Sequence, residues 1–303
     1  MNQPAVAPSR WLRWYRRSAN PRVRLVCFPH AGGAASMFRD WPRWLPEDVE
    51  VIGVCYPGRQ DRVMEPCIDD MGVLSTRIAD VLQPFAGQRL ALFGHSMGAS
   101  VAYEVALRLQ QRTGGVPAGR LFVSGQLPPH RVTPDDAHLR GDEAIRDEVR
   151  RLGDPNADTV LDDPDLLELV MPAIRADFRL IGTYLPRPPT RLSAPISAYT
   201  GSEDEDVPVE GLREWAAATA TAFDHRVSPG GHFYLLDDPE ALVKDLADHL
   251  AVGSVVGRAD DGGAVSRSRT SDRRGTASRR RGRRARHRRP GTRPSVAGWP
   301  RCG

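Results

Sequence analysis

The 303-residue chain has few cysteines, almost no lysine and no long apolar run, and these shortages exclude several classes of protein. The four cysteines are too far apart for a CxxC metal site or a dense disulfide framework. Two of them, Cys27 and Cys55, lie in apolar runs, where a reduced thiol behaves as a small hydrophobe. No run approaches the roughly 18 apolar residues of a membrane-spanning helix, and the N-terminal residues lack the apolar core of a signal peptide. The composition predicts a cytoplasmic protein that does not enter a membrane.

The basic residues are almost all arginines, and they are concentrated at the end of the chain. Lys244 is the one lysine among 42 basic residues, and residues 254–303 contain 15 Arg and 3 Asp, a net charge of +12. Because the whole chain carries +4, residues 1–253 carry −8, so the total charge does not indicate specific nucleic-acid binding. Residues 253–303 lack apolar periodicity and are predicted to be a disordered tail. This tail either binds polyanions nonspecifically or is an extension without function.

Short apolar runs alternate with helix-like stretches along residues 1–252. Continuous runs, rather than alternating ones, are typical of strands buried on both faces of a parallel sheet. The runs cover residues 23–28, 49–55, 89–93, 120–124, 194–200 and 223–227. Apolar residues at helical spacing occur in 71–85, 97–111, 208–221 and 239–251. This order predicts one α/β domain with a mostly parallel central sheet and helices on both faces.

The stretch from about residue 127 to 190 interrupts the alternation. Proline-rich segments mark its two ends, and three helix-like segments lie between them without an obvious strand. Its apolar residues are unusually numerous for a surface excursion, above all over 166–181. We interpret the stretch as a helical lid insertion, because insertions over the carboxyl ends of strands commonly cover sites. The alternative is a set of helices that only packs on the body.

The motif GHSMG at residues 94–98 follows an apolar run and opens a helix-like stretch. A GxSxG pattern between a strand and a helix is typical of a nucleophile elbow, whose glycines let the chain pass closely while the serine hydroxyl is lifted above the sheet. Ser96 is the candidate nucleophile, and the backbone N–H of Met97, at the helix N-terminus, is a candidate donor to an oxyanion. His95 cannot turn back to act as the base of the adjacent serine and is expected to support the elbow.

A serine is a weak nucleophile without a base, and the base is expected late in the chain. His232 lies in the motif PGGHF, after the last apolar run and before the last helix-like stretch, and its glycines let the loop bend toward Ser96. The acid that orients the imidazole is expected between the two, just past a strand. Four acidic residues occupy positions 203–206, so composition alone does not choose. Asp204 has the favoured spacing, and Asp206 is the alternative.

The glycine-rich motif PHAGG at residues 29–33 follows the first apolar run. Glycines at such a loop let a backbone N–H face a substrate carbonyl, and we assign this second oxyanion donor to Ala31. His30 precedes the glycines and is expected to line the mouth of the site. The alternative is a glycine-rich turn without a catalytic part.

Together these residues resemble the type II thioesterases of polyketide and nonribosomal peptide pathways. The resemblance runs from about residue 20 to 250 and is carried by FPHAGGAAS, YPGRQDR, LALFGHSMGASVAYEVALRL, MPAIRADFRLIGTY and PGGHFYL. It implies an α/β-hydrolase fold, a triad of Ser96, Asp204 and His232, and oxyanion N–H groups from Ala31 and Met97. The family places its acid in a G-x-x-D-x-x-V pattern, which favours Asp204. The neighbouring acidic residues are a departure, since members often carry proline after this aspartate.

The resemblance also implies a function. Such enzymes hydrolyse acyl groups from the phosphopantetheine arm of carrier proteins and so clear stalled or wrongly primed synthases. The expected partners are separate acyl or peptidyl carrier proteins, and neither a metal nor a cofactor is required. We expect a monomer. Two alternatives are a generic carboxylesterase on the same fold and a noncatalytic polyanion binder built around the Arg-rich tail.

Overall fold

The computed structural model describes residues 9–134, 136–155 and 157–252. The disordered tail predicted for residues 253–303 lies outside the described residues. Among the described residues, no helix combines the length and the apolar character needed to span a bilayer.

Seven strands form one sheet in the order β1-β3-β2-β4-β5-β6-β7. β1 pairs antiparallel with β3, and every other neighbouring pair is parallel, so the mostly parallel sheet predicted from the sequence is confirmed. The strands are β1 (Leu12–Arg16), β2 (Val23–Phe28), β3 (Val49–Val54), β4 (Gly87–His95), β5 (Ala118–Ser124), β6 (Ile196–Gly201) and β7 (Phe223–Ser228).

The two edge strands differ from what the apolar runs predict. β1 was not predicted, because the segment LRWYR has no continuous apolar run, and the structure buries only its first residue fully. β7 coincides with the sixth run, but all of its residues are exposed or half-buried, so burial on both faces is wrong for this strand. Its position at the sheet edge explains the difference, whereas β3, inside the sheet, is buried throughout.

Nine helices are present in the described part of the chain, together with five short 3₁₀ turns. They are α1 (Met71–Leu82), α2 (Met97–Thr113), α3 (Ala137–Arg140), α4 (Asp142–Leu152), α5 (Ala157–Leu161), α6 (Pro164–Gly182), α7 (Val209–Arg213), α8 (Tyr234–Asp237) and α9 (Pro239–Val252). Local signals set several ends. The Asp70 carboxylate accepts the N–H of Val73 at the start of α1, and Asp163 caps α6 in the same way. α2 ends at Gly114 in the left-handed conformation.

Helices cover both faces of the sheet, as predicted. Side chains alternate across a strand, so Leu90 and Leu92 of β4 face α1 and α2, while Ala91 and Phe93 face the opposite side. On that opposite side they share a core with α9 and with two 3₁₀ turns near Trp41. Cys27 is buried in this second core, and burial raises the pKa of its thiol well above the ordinary value.

The insertion at 127–190 holds four helices, α3 to α6, instead of the three predicted segments. They have a small core of their own, formed by Ala137, Ile145, Met171, Ile174 and Phe178. Ala31, from the loop after β2, packs against this core. The insertion therefore lies on the loop at the carboxyl end of β2 and not on the helical layers alone.

Candidate active site

The candidate residues are brought together at the carboxyl edge of the sheet. Ala31 follows β2, Ser96 follows β4, Asp204 follows β6 and His232 follows β7. Because neighbouring parallel strands end at the same edge, loops that are far apart in sequence meet there. The site is built entirely from such loops.

Ser96 occupies a sharp turn between β4 and α2. It has φ 53° and ψ −125°, and a positive φ is unusual for a residue with a side chain. A Cβ at Gly94 would overlap the carbonyl of Gly98, and a Cβ at Gly98 would overlap the carbonyl of Phe28. Both glycines of the motif are therefore required by close chain passage, as the sequence predicts. The Ser96 N–H donates to the carbonyl of Ser124 (2.8 Å), which ties the turn to β5.

His232 and Asp204 form a buried hydrogen-bonded pair. Nδ1 of His232 lies 2.9 Å from Oδ2 of Asp204, and a carboxylate only accepts, so this nitrogen carries the proton. The Nε2 atom is left as an acceptor, is buried, and has no hydrogen-bond partner among the described residues. The ring centroid of His232 is 5.0 Å from that of His95, so the loop after β7 returns to the elbow.

The alternative acid, Asp206, faces away from His232. Its carboxylate is exposed and binds the guanidinium of Arg151 at 2.7 Å. Glu203 and Glu205 are exposed as well, whereas the Asp204 side chain is only 1% exposed. Of the four acidic residues, the structure brings Asp204 to the imidazole.

The loop after β2 leaves the N–H of Ala31 without an acceptor among the described residues. The N–H of Gly32 donates to the Asp177 carboxylate (2.8 Å), and the N–H of Gly33 donates to the carbonyl of His30 (3.0 Å). Within the described chain, no acceptor is found for the N–H of Ala31 or for that of Met97. Met97 is the first residue of α2, where an N–H has no acceptor within the helix. Both assigned oxyanion donors are thus available.

Three histidine rings surround Phe233. The centroids of His30, His95 and His232 lie 4.8, 5.4 and 5.3 Å from its ring. His95 Nδ1 is 3.0 Å from the Ser124 hydroxyl, consistent with the predicted support of the elbow. Burial lowers the pKa of His95 well below 6.5, and the neighbouring His232 and His30 lower it further. His30 lies at the site as expected, with Nε2 3.3 Å from Asp154 of the insertion.

A mostly apolar cavity of about 450 Å³ separates the loop after β2 from the insertion. Its walls on the insertion side come from α4, α5, α6 and the segments between them. These lining residues are Val149, Asp154, Ala157, Val160, Leu161, Val170 and Ile174. A small adjoining cavity shares His30 and Ala31 with it and reaches Ser96. An apolar group held near Ser96 therefore has space beneath the insertion.

Sequence reasoning did not single out three side chains beside the site, Arg59, Asp154 and Asp177. Arg59 belongs to YPGRQDR and Asp177 to MPAIRADFRLIGTY, so both lie in segments that carry the resemblance, but nothing in their residue types indicated a contact with the PHAGG loop. No signal marked Asp154. The described residues contain no group of three or more His, Cys, Asp or Glu side chains arranged to hold a metal ion.

Comparison with known proteins gives consistent matches. A family model described as "Thioesterase domain" matches residues 23–250. Thioesterase PikA5 of Streptomyces venezuelae is 42% identical over 243 residues, 80% of this chain and 86% of that protein. The structure of the type II thioesterase BorB from the borrelidin biosynthetic cluster has a TM-score of 0.71 and 38% identity, covering 79% of this chain and 97% of BorB. RedJ, from the prodiginine pathway of Streptomyces coelicolor, has a TM-score of 0.70 and 35% identity, covering 81% and 91%.

Proposed function

This chain belongs to the thioesterase-domain family, a group of α/β-hydrolase-fold enzymes that hydrolyse thioesters, and from that premise we propose its substrate and its catalytic residues. We propose that it removes acyl groups from the phosphopantetheine arm of acyl or peptidyl carrier proteins of polyketide or nonribosomal peptide synthases. Several similar proteins are named for such pathways, among them the gramicidin S biosynthesis protein GrsT of Aneurinibacillus migulanus.

The reaction proceeds through an acyl-enzyme. Ser96 attacks the thioester carbonyl while Nε2 of His232 takes its proton, and Asp204 holds the imidazole in the required tautomer. The N–H groups of Ala31 and Met97 donate to the oxyanion of the tetrahedral intermediate. The pantetheine thiol leaves with the proton from His232, and the imidazole then activates water to release the acid. The insertion acts as a lid, and the cavity beneath it receives the acyl chain.

The observation that carries this proposal is the buried His232–Asp204 hydrogen bond behind a strained Ser96. Folding alone does not account for it, because a non-glycine residue at positive φ is strained and a buried carboxylate is costly. Both features are explained if the serine has to be exposed to substrate and the imidazole has to gain a proton during the reaction.

The test is hydrolysis of an acyl-loaded carrier protein by wild type and by Ser96→Ala, with a simple oxyester measured alongside. We expect carrier-thioester turnover that falls by at least about 10⁴-fold in the variant, because the nucleophile is lost. Faster cleavage of the oxyester by wild type would favour a carboxylesterase. Activity unchanged by the substitution would show that another residue is the nucleophile.

A further inference from the structure

The insertion and the PHAGG loop are joined by a buried ion pair that the proposed mechanism does not use. Asp177 of α6 and Arg59 of the loop after β3 form two hydrogen bonds, Nη1 to Oδ2 and Nη2 to Oδ1, each 2.7 Å long. The side chains are 3% and 10% exposed. Such a parallel pair of charge-assisted bonds fixes both side chains in one geometry.

Each member of the pair also holds the backbone of the PHAGG loop. Oδ2 of Asp177 accepts the N–H of Gly32 at 2.8 Å, and Nη1 of Arg59 donates to the carbonyl of Gly33 at 3.0 Å. From the same loop after β3, the Tyr56 hydroxyl donates to the carbonyl of Pro29 at 3.3 Å. The loop is thereby held by hydrogen bonds on both sides of Ala31.

These hydrogen bonds determine the direction in which the N–H of Ala31 points. In a trans peptide the carbonyl of His30 and the N–H of Ala31 point in opposite directions. The carbonyl of His30 accepts the N–H of Gly33, so the turn that Arg59 and Asp177 hold also fixes this peptide plane. Asp177 occupies the N–H of Gly32, so that group is not available to an oxyanion, whereas the N–H of Ala31 has no acceptor among the described residues.

The loop that presents Arg59 carries strain of its own. Gln60, the next residue, has φ 53°, and it shares this positive φ with Ser96 alone among the described non-glycine residues. Strained backbone persists where the surrounding structure enforces it, and such residues cluster at functional sites. A buried ion pair is in addition weak evidence for stability, because apolar residues of similar size often stabilise a fold as well. The pair therefore calls for an explanation other than folding.

We infer that Arg59 and Asp177 are positioning residues that set the Ala31 N–H for oxyanion binding, and that they do so only while α6 is seated on the PHAGG loop. The inference rests on the proposed function. It makes the insertion a part of the catalytic apparatus as well as a wall of the acyl cavity, because its helix supplies the carboxylate that holds the loop. Hydrolysis is thereby restricted to the state in which the insertion covers the site.

The test removes both charges together, since loss of one partner alone would leave an unpaired charge buried. The double variant Arg59→Met with Asp177→Leu keeps the apolar volume but offers no acceptor to Gly32. With the butanoyl thioester of N-acetylcysteamine as substrate, we expect kcat to fall about 10- to 100-fold, as for a misplaced catalytic group. We expect KM to change less than about threefold, because the oxyanion exists only after attack. Binding of butylboronic acid, whose tetrahedral serine adduct needs the same N–H groups, should weaken in parallel.

A second double variant, Arg59→Met with Asp177→Asn, returns a neutral oxygen acceptor for the Gly32 N–H. We expect it to recover at least about fivefold in kcat over the first variant, a rescue that a merely structural role does not predict. The matched control is Asp142→Asn, which removes the charge of a carboxylate of α4 that pairs with Arg175 of α6, the helix that also carries Asp177. This control should keep wild-type kcat, since neither side chain contacts the PHAGG loop in the described structure.

The inference is overturned if the first double variant, folded with the wild-type melting temperature within a few degrees, keeps the wild-type kcat and boronate affinity. It is also overturned if kcat falls but the asparagine variant recovers nothing. Failure of the proposed function has a different signature, because wild type itself would then not hydrolyse an acyl-loaded carrier protein.

Discussion

The end of β4 and the loop after β7 each place a buried histidine at the elbow, and the two rings differ in their partners. Their centroids are 5.0 Å apart. His232 donates from Nδ1 to the Asp204 carboxylate, while His95 Nδ1 meets the hydroxyl of Ser124, which in turn lies 2.8 Å from the Tyr234 hydroxyl. The cluster therefore contains two histidines with different partners: His232 is hydrogen-bonded to a charged carboxylate, and His95 to a neutral hydroxyl.

The difference in partners distinguishes His232, the proposed base, from His95, the predicted supporting residue. A carboxylate stabilises the imidazolium that forms when a histidine takes a proton. A hydroxyl offers no charge, and burial together with the neighbouring His232 and His30 lowers the pKa of His95 well below 6.5. His95 thus stays neutral at physiological pH and adds no charge beside His232. A position next to the proposed nucleophile therefore does not make His95 a base, because its hydrogen-bond partner, the Ser124 hydroxyl, carries no charge.

The largest effect is expected from Asp204→Asn, which makes the hydrogen-bond partner of His232 neutral. We expect kcat on an acyl-carrier thioester to fall by about 10⁴-fold, because an amide no longer selects the tautomer with a free Nε2 and no longer stabilises the imidazolium. Single-turnover kinetics at neutral pH measure the loss.

Asp206→Asn is the matched control for that change. Asp206 is exposed and pairs with Arg151, which also binds Glu148, so we expect kcat within about twofold of wild type. Equal losses in the two variants would contradict the assignment of the acid.

The proposed acid, Asp204, illustrates how much of the site could be predicted from the sequence. Two features of the sequence favoured Asp204: its spacing after the apolar run at 194–200 and the G-x-x-D-x-x-V pattern of the family it resembles. The spacing is informative because the end of a strand determines which residue of the following loop reaches the site. Interior strands were predictable, since burial on both faces leaves an apolar run, whereas β1 at the edge left none. The Arg59–Asp177 pair was not predictable, because 118 residues separate its members and only the seating of α6 brings them together.

A smaller effect is expected from Ser124→Ala, which removes the neutral partner of His95. Nδ1 of His95 and the Tyr234 hydroxyl would both lose a buried hydrogen bond. We expect the free energy of unfolding to drop by about 1–3 kcal/mol, with kcat much less affected than in Asp204→Asn. Urea unfolding gives the stability, and exposed Ser202→Ala, expected within about 0.5 kcal/mol of wild type, is the control. A loss of activity as large as that of Asp204→Asn would mean that His95 is more than a support.

Because His95 is neutral in the folded protein, we expect the free energy of unfolding to depend on pH. Its pKa is lowered in the folded protein, so below pH 6.5 the unfolded chain binds a proton that the folded chain does not. Stability contributed by the neutral ring is present above that pH and falls as the pH decreases, by up to about 1.4 kcal/mol per pH unit. Unfolding free energies of wild type and His95→Gln between pH 5 and 8 should therefore converge toward low pH. Parallel curves would show that His95 takes up a proton in the folded state.

The smallest effect is expected from Asp154→Asn, which replaces the carboxylate next to the third histidine, His30. Its partner Asp154 comes from the insertion, at 3.3 Å from Nε2, whereas Asp204 belongs to the same sheet edge as His232. No step of the proposed reaction places a proton on His30, so the reaction does not require the negative charge of Asp154. An amide oxygen still accepts from the ring, and we expect Asp154→Asn to keep kcat within about threefold. A loss approaching that of Asp204→Asn would instead place His30 in the proton transfers, and pH–rate profiles of the two variants would then shift together.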